Sequence, residues 1–143
     1  MWKGTNQMWM VIRLLVAALL FAAIAPRLAA APAATLTTDS VQNSAVEWFD
    51  RMRSGQIDRT QLTADFSAEL TDDTVATTSR FLQAHGYIDS PTGAKLVDTR
   101  TAEDQTLYIV KLSFARRNPA NLQSAIGSDG KISDISLLNT GGD

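Results

Sequence analysis

Apolar side chains recur along this chain with two different periods, and the change from one to the other falls at Gly93. Over about 40–54, Val41, Ala45, Trp48, Phe49 and Met52 stand at i, i+4, i+7, i+8 and i+11. That spacing makes one stripe on a helix of period 3.6. Asp39 is placed to cap its start with Gln42 three residues on, Arg51 and Arg53 favour the dipole in the last turn, and Gly55 supplies the stop. A second helix is expected over about 59–70, capped by Asp58 or Thr60, with Leu62, Phe66 and Leu70 at i, i+4 and i+8. Thr71 is the expected cap of a third helix over about 72–85. Asp72 and Asp73 fall in its first turn, Val75, Phe81 and Leu82 are its apolar positions, and Gly86 ends it.

Asp89-Ser90-Pro91-Thr92-Gly93 is a turn-rich break. After it the period is 2, and strands are expected at about 94–101, 106–115, 120–127 and 131–138. The clearest is Leu107 to Phe114, in which Tyr108, Val110, Leu112 and Phe114 share one face and Leu107, Ile109, Lys111 and Ser113 the other. Thr101 to Gln105 reads as a charged hairpin loop, Asn118-Pro119 as a turn, and Gly127-Ser128-Asp129-Gly130 as the last hairpin turn. Helices first and a strand meander second predict an α+β domain, with one sheet face packed on the helices.

The first 33 residues follow a different pattern. Lys3 and Arg13 precede the apolar run Leu14–Ala25, and a small-residue stretch Leu28–Ala34 follows it. That is the order of a secretory signal peptide. Twelve apolar residues fall short of the roughly 20 that span a bilayer. Ala31-Pro32-Ala33 offers a cleavage site after Ala33. Cutting after Ala31 leaves Pro32 next to the scissile bond, which disfavours it. An uncleaved signal anchor is the alternative. The expected divisions are a leader at 1–33, a lead-in at 34–39, a domain at 40–139 and a frayed tail at 140–143, delivered to the periplasm or the medium with no membrane anchor after cleavage.

Removing the leader changes the charge. Of 13 Lys and Arg against 15 Asp and Glu, the leader holds Lys3, Arg13 and Arg27 and no acid. The remainder therefore carries 10 basic and 15 acidic side chains, a formal charge of −5. Such a balance argues against nucleic acid as a partner. The chain has no cysteine, which removes disulfides, thiolate metal sites, a Cys nucleophile and lipoprotein anchoring through a Cys just after the leader. One histidine, His85, completes no zinc ligand set, so neither metal nor cofactor is expected.

The elements and several short motifs together resemble the small secreted nuclear transport factor 2-like domains. The resemblance runs over about 40–139. It rests on Trp48-Phe49 on the first helix followed by Gly55-Gln56-Ile57-Asp58, on Leu70-Thr71 feeding a helix that ends at Gly86, on the strand Tyr108 to Phe114, and on Asp129-Gly130-Lys131-Ile132 before the last strand. It implies a curved antiparallel four-stranded sheet wrapped against the helices around an apolar pocket. Members of that family include isomerases, dehydratases and many domains without catalysis, so the fold leaves function open.

Within that frame, Trp48, Phe49, Tyr87, Tyr108, Val110, Leu112 and Phe114 are the expected walls of an apolar ligand pocket. Helical spacing alone makes the same aromatics core. An isomerase-type site needs a carboxylate and a tyrosine in one apolar cavity, and Asp98 with Tyr108 is the candidate pair. Its plainer reading is a cross-strand polar residue beside a core tyrosine. Ser128-Asp129-Gly130-Lys131 matches the Ser-x-x-Lys spacing of serine hydrolases, but that chemistry needs a helix and this segment is a turn. Asp72-Asp73 and Glu103-Asp104 lack the alternating oxygen ligands of a calcium loop. The sequence therefore favours an exported, non-catalytic domain that binds a small apolar ligand or a protein partner. Leu107 and Ile109 on the far sheet face suggest a homodimer through the sheet. An isomerase- or dehydratase-type enzyme is the alternative.

Overall fold

Thr37, not Asp39, starts the first helix. Its Oγ1 accepts from the Ser40 amide at 3.2 Å, and α1 runs over Thr38–Ser54 with Asp39 in its first turn. The computed structural model describes residues 36–138; the expected leader and the expected tail at 140–143 lie outside the described residues. Gly55 ends α1 with φ 74°, a left-handed conformation that glycine adopts without strain.

The continuous helix expected at 59–70 is broken in two. Asp58 caps a single 3-10 turn at Arg59–Gln61, Leu62 is extended, and α2 occupies only Ala64–Glu69. The cause is a contact distant in sequence. Leu62 forms a parallel bridge with Ile132, and the Thr63 amide donates to the Ile132 carbonyl at 2.9 Å. Thr63 then restarts the helix by accepting from the Phe66 amide. Arg59 closes the other end, donating to the carbonyls of Ser67 and Leu70, both at 2.6 Å. Thr71 caps α3 (Asp72–Ala84) as expected. Ser79 on α3 donates to the Arg53 carbonyl at the end of α1 at 2.6 Å, so α3 satisfies an orphan acceptor of α1.

The four strands are β1 (Gly93–Ala102), β2 (Gln105–Ser113), β3 (Ala120–Gly127) and β4 (Ile132–Leu138). They pair antiparallel in the order β1-β2-β3-β4, an open meander. The expected five-residue loop at 101–105 contracts to the two-residue turn Glu103-Asp104, with Glu103 at φ 45° and Ala102 paired to Gln105. The chain is thus α+β, with its helices packed on one face of the sheet. That face carries Tyr108, Val110, Leu112 and Leu122, which meet Val41, Ala45, Phe49 and Leu82 in the main core. Trp48, Leu62, Phe66 and Ile132 form a second cluster under α2.

Candidate functional site

The expected pocket walls are found packed on one another. Phe49 is 0% exposed, as are Val110 and Leu112, and Tyr108 is 8% exposed. The Phe49 ring lies 5.6 Å from Tyr87 and 5.1 Å from Phe114, and these two are 5.1 Å apart, so three aromatics close a mutual cluster. Phe114 reaches it although β2 ends one residue earlier. Trp48 sits in the second cluster, and its Nε1 donates to Gln61 Oε1 at 3.1 Å. A buried indole N–H needs such an acceptor. These side chains can supply packing and rigidity.

Asp98 and Tyr108 do not share a site. A bulge at Val97 shifts the β1–β2 register, so Asp98 lies opposite Ile109 and Thr99 lies opposite Tyr108. Tyr108 faces the helices, and Asp98 lies on the other face, where it accepts from Arg100 at 2.7 Å. One extra residue in a strand flips everything after it to the other side.

The remaining motifs have structural partners. His85 is exposed at the end of α3, with its Nδ1 2.8 Å from the Phe81 carbonyl and its ring 4.0 Å from that of Phe81. Phe81, expected inside, is 37% exposed under this stack. Ser128 and Lys131 lie in the β3–β4 turn, Lys131 donating through Nζ to the Thr60 carbonyl. Beside that turn is an open cleft of about 320 Å³, lined by Leu36, Ser40, Thr60, Asp129 and Lys131 among others. Two residues of the cleft's lining, Thr60 and Gln61, donate hydrogen bonds that hold the Asp58 carboxyl under the usual carboxylate range. Among the described residues, no group of three or more His, Cys, Asp and Glu side chains is placed to hold a metal ion. No described helix is long and apolar enough to cross a membrane.

The face of the sheet turned away from the helices is built differently. Strand registers align its side chains in rows that run across all four strands. One row is Arg100, Leu107, Ala125 and Asp134. The next is Asp98, Ile109, Gln123 and Ser136, and the third is Lys95, Lys111, Asn121 and Leu138. Leu107 and Ile109 are half-buried in the middle, with charge at both margins. Burial raises the Asp134 carboxyl above its usual range, against the opposing hydrogen bonds from Ser136 and the Ile135 backbone. Among the described residues, none of the ion pairs involves Asp134. Asn121 Oδ1 is buried without a hydrogen-bond partner.

Sequence reasoning located Leu107 and Ile109 on this face and missed Arg100, Asn121 and Asp134. The polar alternation of β4 was readable; which residues it meets across the sheet was not. No family model, no curated protein and no solved structure matches the chain.

Proposed function

We propose that this chain is an exported, non-catalytic binding domain that works through the open face of its sheet, and that its ligand is a protein. The observation that carries the reading is the contrast between the two faces. The helix-side aromatics fill one another's contacts. The outer face holds Leu107 and Ile109 at its centre, charged margins and a half-buried Asp134 carboxylate that no ion pair among the described residues reaches. Half-buried apolar side chains flanked by polar and charged ones suit another protein's surface better than a small molecule, which needs concavity. Export is supported by the order of charged, apolar and small residues in 1–33. The likeness to nuclear transport factor 2-like domains is part of the same proposal, supported by helices followed by a strand meander.

The enzyme alternative loses its pair, because Tyr108 and Asp98 lie on opposite sides of the sheet. The test is site-specific photo-crosslinking in the producing cell. A crosslinker replacing Ile109 is expected to give a discrete protein adduct, and one replacing Thr77 on α3 is not. Equal labelling at both positions, or none at 109, overturns the reading.

A further inference from the structure

We infer that the protein seated on the open sheet face presents an acidic segment to Lys95 and Lys111, at the corner where β1 begins and β2 ends. This rests on the proposed role of that face and names the chemistry of its partner. The basic side chains of the domain divide into two sets. Arg51, Arg53, Arg59 and Arg100 form ion pairs with Glu47, Asp50, Asp72 and Asp98. Arg80 donates to Thr77 and Lys131 to the Thr60 carbonyl. Arg117 lies over the Tyr87 ring, 4.3 Å from its centroid. Lys95, Lys111 and Arg116 remain. All three are exposed, and the ion pairs and side-chain hydrogen bonds among the described residues leave them out.

These cations fall at one end of the sheet. Lys95 and Lys111 are direct cross-strand partners, and Arg116 and Arg117 follow in the loop past β2. Such partners hold their Cβ atoms about 4.5–5.5 Å apart on one face, and like charges so placed destabilise the sheet. A lysine on an edge strand guards against strand addition, which accounts for Lys95 on β1. It does not account for Lys111, because β2 is paired on both sides. Nor does the face supply the counter-charge. Asp98, on the same face of β1, is held by Arg100 at 2.7 Å, and Asp134 lies on β4 at the opposite margin.

A carboxylate placed between the two ammonium groups turns their repulsion into attraction, and more so once the contact is shielded from water. Ile109 follows Lys111 on the same face, about 7 Å along β2. The complementary surface is therefore an acidic side chain beside an apolar one, with its acidic end turned away from Asp134. The charge of −5 outside residues 1–33 adds direction, since this corner is where an acidic partner can approach an acidic domain. Leu107 and Ile109 are half-buried, too recessed to enter a bilayer, and suit the protruding side chains of a protein.

The test repeats the in-cell photo-crosslinking from position 109 in chains that also carry Lys95→Glu, Lys111→Glu or Arg80→Glu. Arg80, on α3, takes the same charge reversal away from the face. The adduct is expected to fall about tenfold or more with either lysine reversal and to hold with Arg80→Glu. Mass spectrometry of the adduct is expected to place Asp or Glu in the crosslinked partner peptide. Lys111→Glu sets an opposite charge across from Lys95, so its urea midpoint stays at or above the parent's, which excludes misfolding as the cause. An adduct undiminished by both lysine reversals overturns the acidic partner and leaves the face reading standing. Equal loss with Arg80→Glu overturns the assignment to this corner. A parent chain that gives no adduct overturns both readings. If that parent instead co-sediments with phosphatidylglycerol vesicles, and Lys111→Glu abolishes it, the cations serve a lipid surface and the protein partner is overturned.

Discussion

Phe49→Ala is expected to come close to unfolding the domain. Phe49 is fully buried and touches both Tyr87 and Phe114 in a closed group of three rings. Truncating a buried Phe costs about 3–5 kcal/mol, the removed atoms plus the cavity they leave. Each aromatic pair adds about 0.5–1.5 kcal/mol beyond its buried area, and two pairs vanish here. The upper half of that range is therefore expected, about 4–5 kcal/mol, against a total stability of about 5–15 kcal/mol for a domain of this kind. Phe49→Leu keeps most of the volume, loses both ring pairs and should cost about 2 kcal/mol. Urea unfolding followed by tryptophan fluorescence and by far-UV circular dichroism measures both, with the midpoint moving at constant slope. A double-mutant cycle of Phe49→Leu with Phe114→Leu should return a coupling of about 0.5–1.5 kcal/mol. A loss below about 1 kcal/mol for Phe49→Ala refutes the reasoning. It would mean the ring has free space on one side, and the apolar pocket expected from the resemblance would regain its case.

Three further outcomes follow from the same contacts. Burial raises the Asp134 pKa, so the folded chain holds that proton more tightly than the unfolded one. Stability then falls as pH rises from the ordinary aspartate range through the raised value. Asp134→Asn should make the chain more stable at pH 7, with the advantage fading once the pH falls below the ordinary aspartate range; a less stable variant at pH 7 contradicts the assignment. Ser79→Ala should cost about 1 kcal/mol, because Gln83 also donates to the Arg53 carbonyl; adding Gln83→Ala strips that acceptor and should cost more than the two singles summed, which strict additivity in urea midpoints would disprove. Gly86→Ala puts a Cβ at φ 81° and 3.1 Å from Arg117 Nη1, and should lower the melting temperature through about 1–2 kcal/mol of backbone strain; a higher melting temperature counts against that conformation.

The strands were legible because period-2 alternation is local; the two-residue Glu103-Asp104 turn, which sets the β1–β2 pairing, was not. The break at Leu62 was not, because Leu62, Phe66 and Leu70 make the same stripe on one helix or on two short ones. What decides is the Ile132 carbonyl, seventy residues away, which takes the Thr63 amide. The Val97 bulge escaped for a related reason. Ala94 and Leu96 set the phase of β1, but beyond them both faces carry polar side chains, and no apolar residue reports that the phase has flipped. Asp98 therefore looked like a partner for Tyr108. Leu107 and Ile109 were readable on the outer face from β2 alone. Arg100 and Asp134 acquire meaning only from cross-strand rows that combine three registers. His85 was placed correctly at a helix end, since the α3 boundary depends on Thr71 and Gly86, both local signals.

The most direct test of the outer face as the working surface is the amide spectrum of the labelled chain recorded with and without unlabelled extract of its producing cells. The account predicts shifts confined to alternate residues of the sheet, Lys95, Arg100, Leu107, Ile109, Lys111, Asn121, Ala125 and Asp134, with α1 and α3 unmoved. Shifts centred on the Phe81–His85 end of α3, or on the cleft beside Lys131, would contradict it.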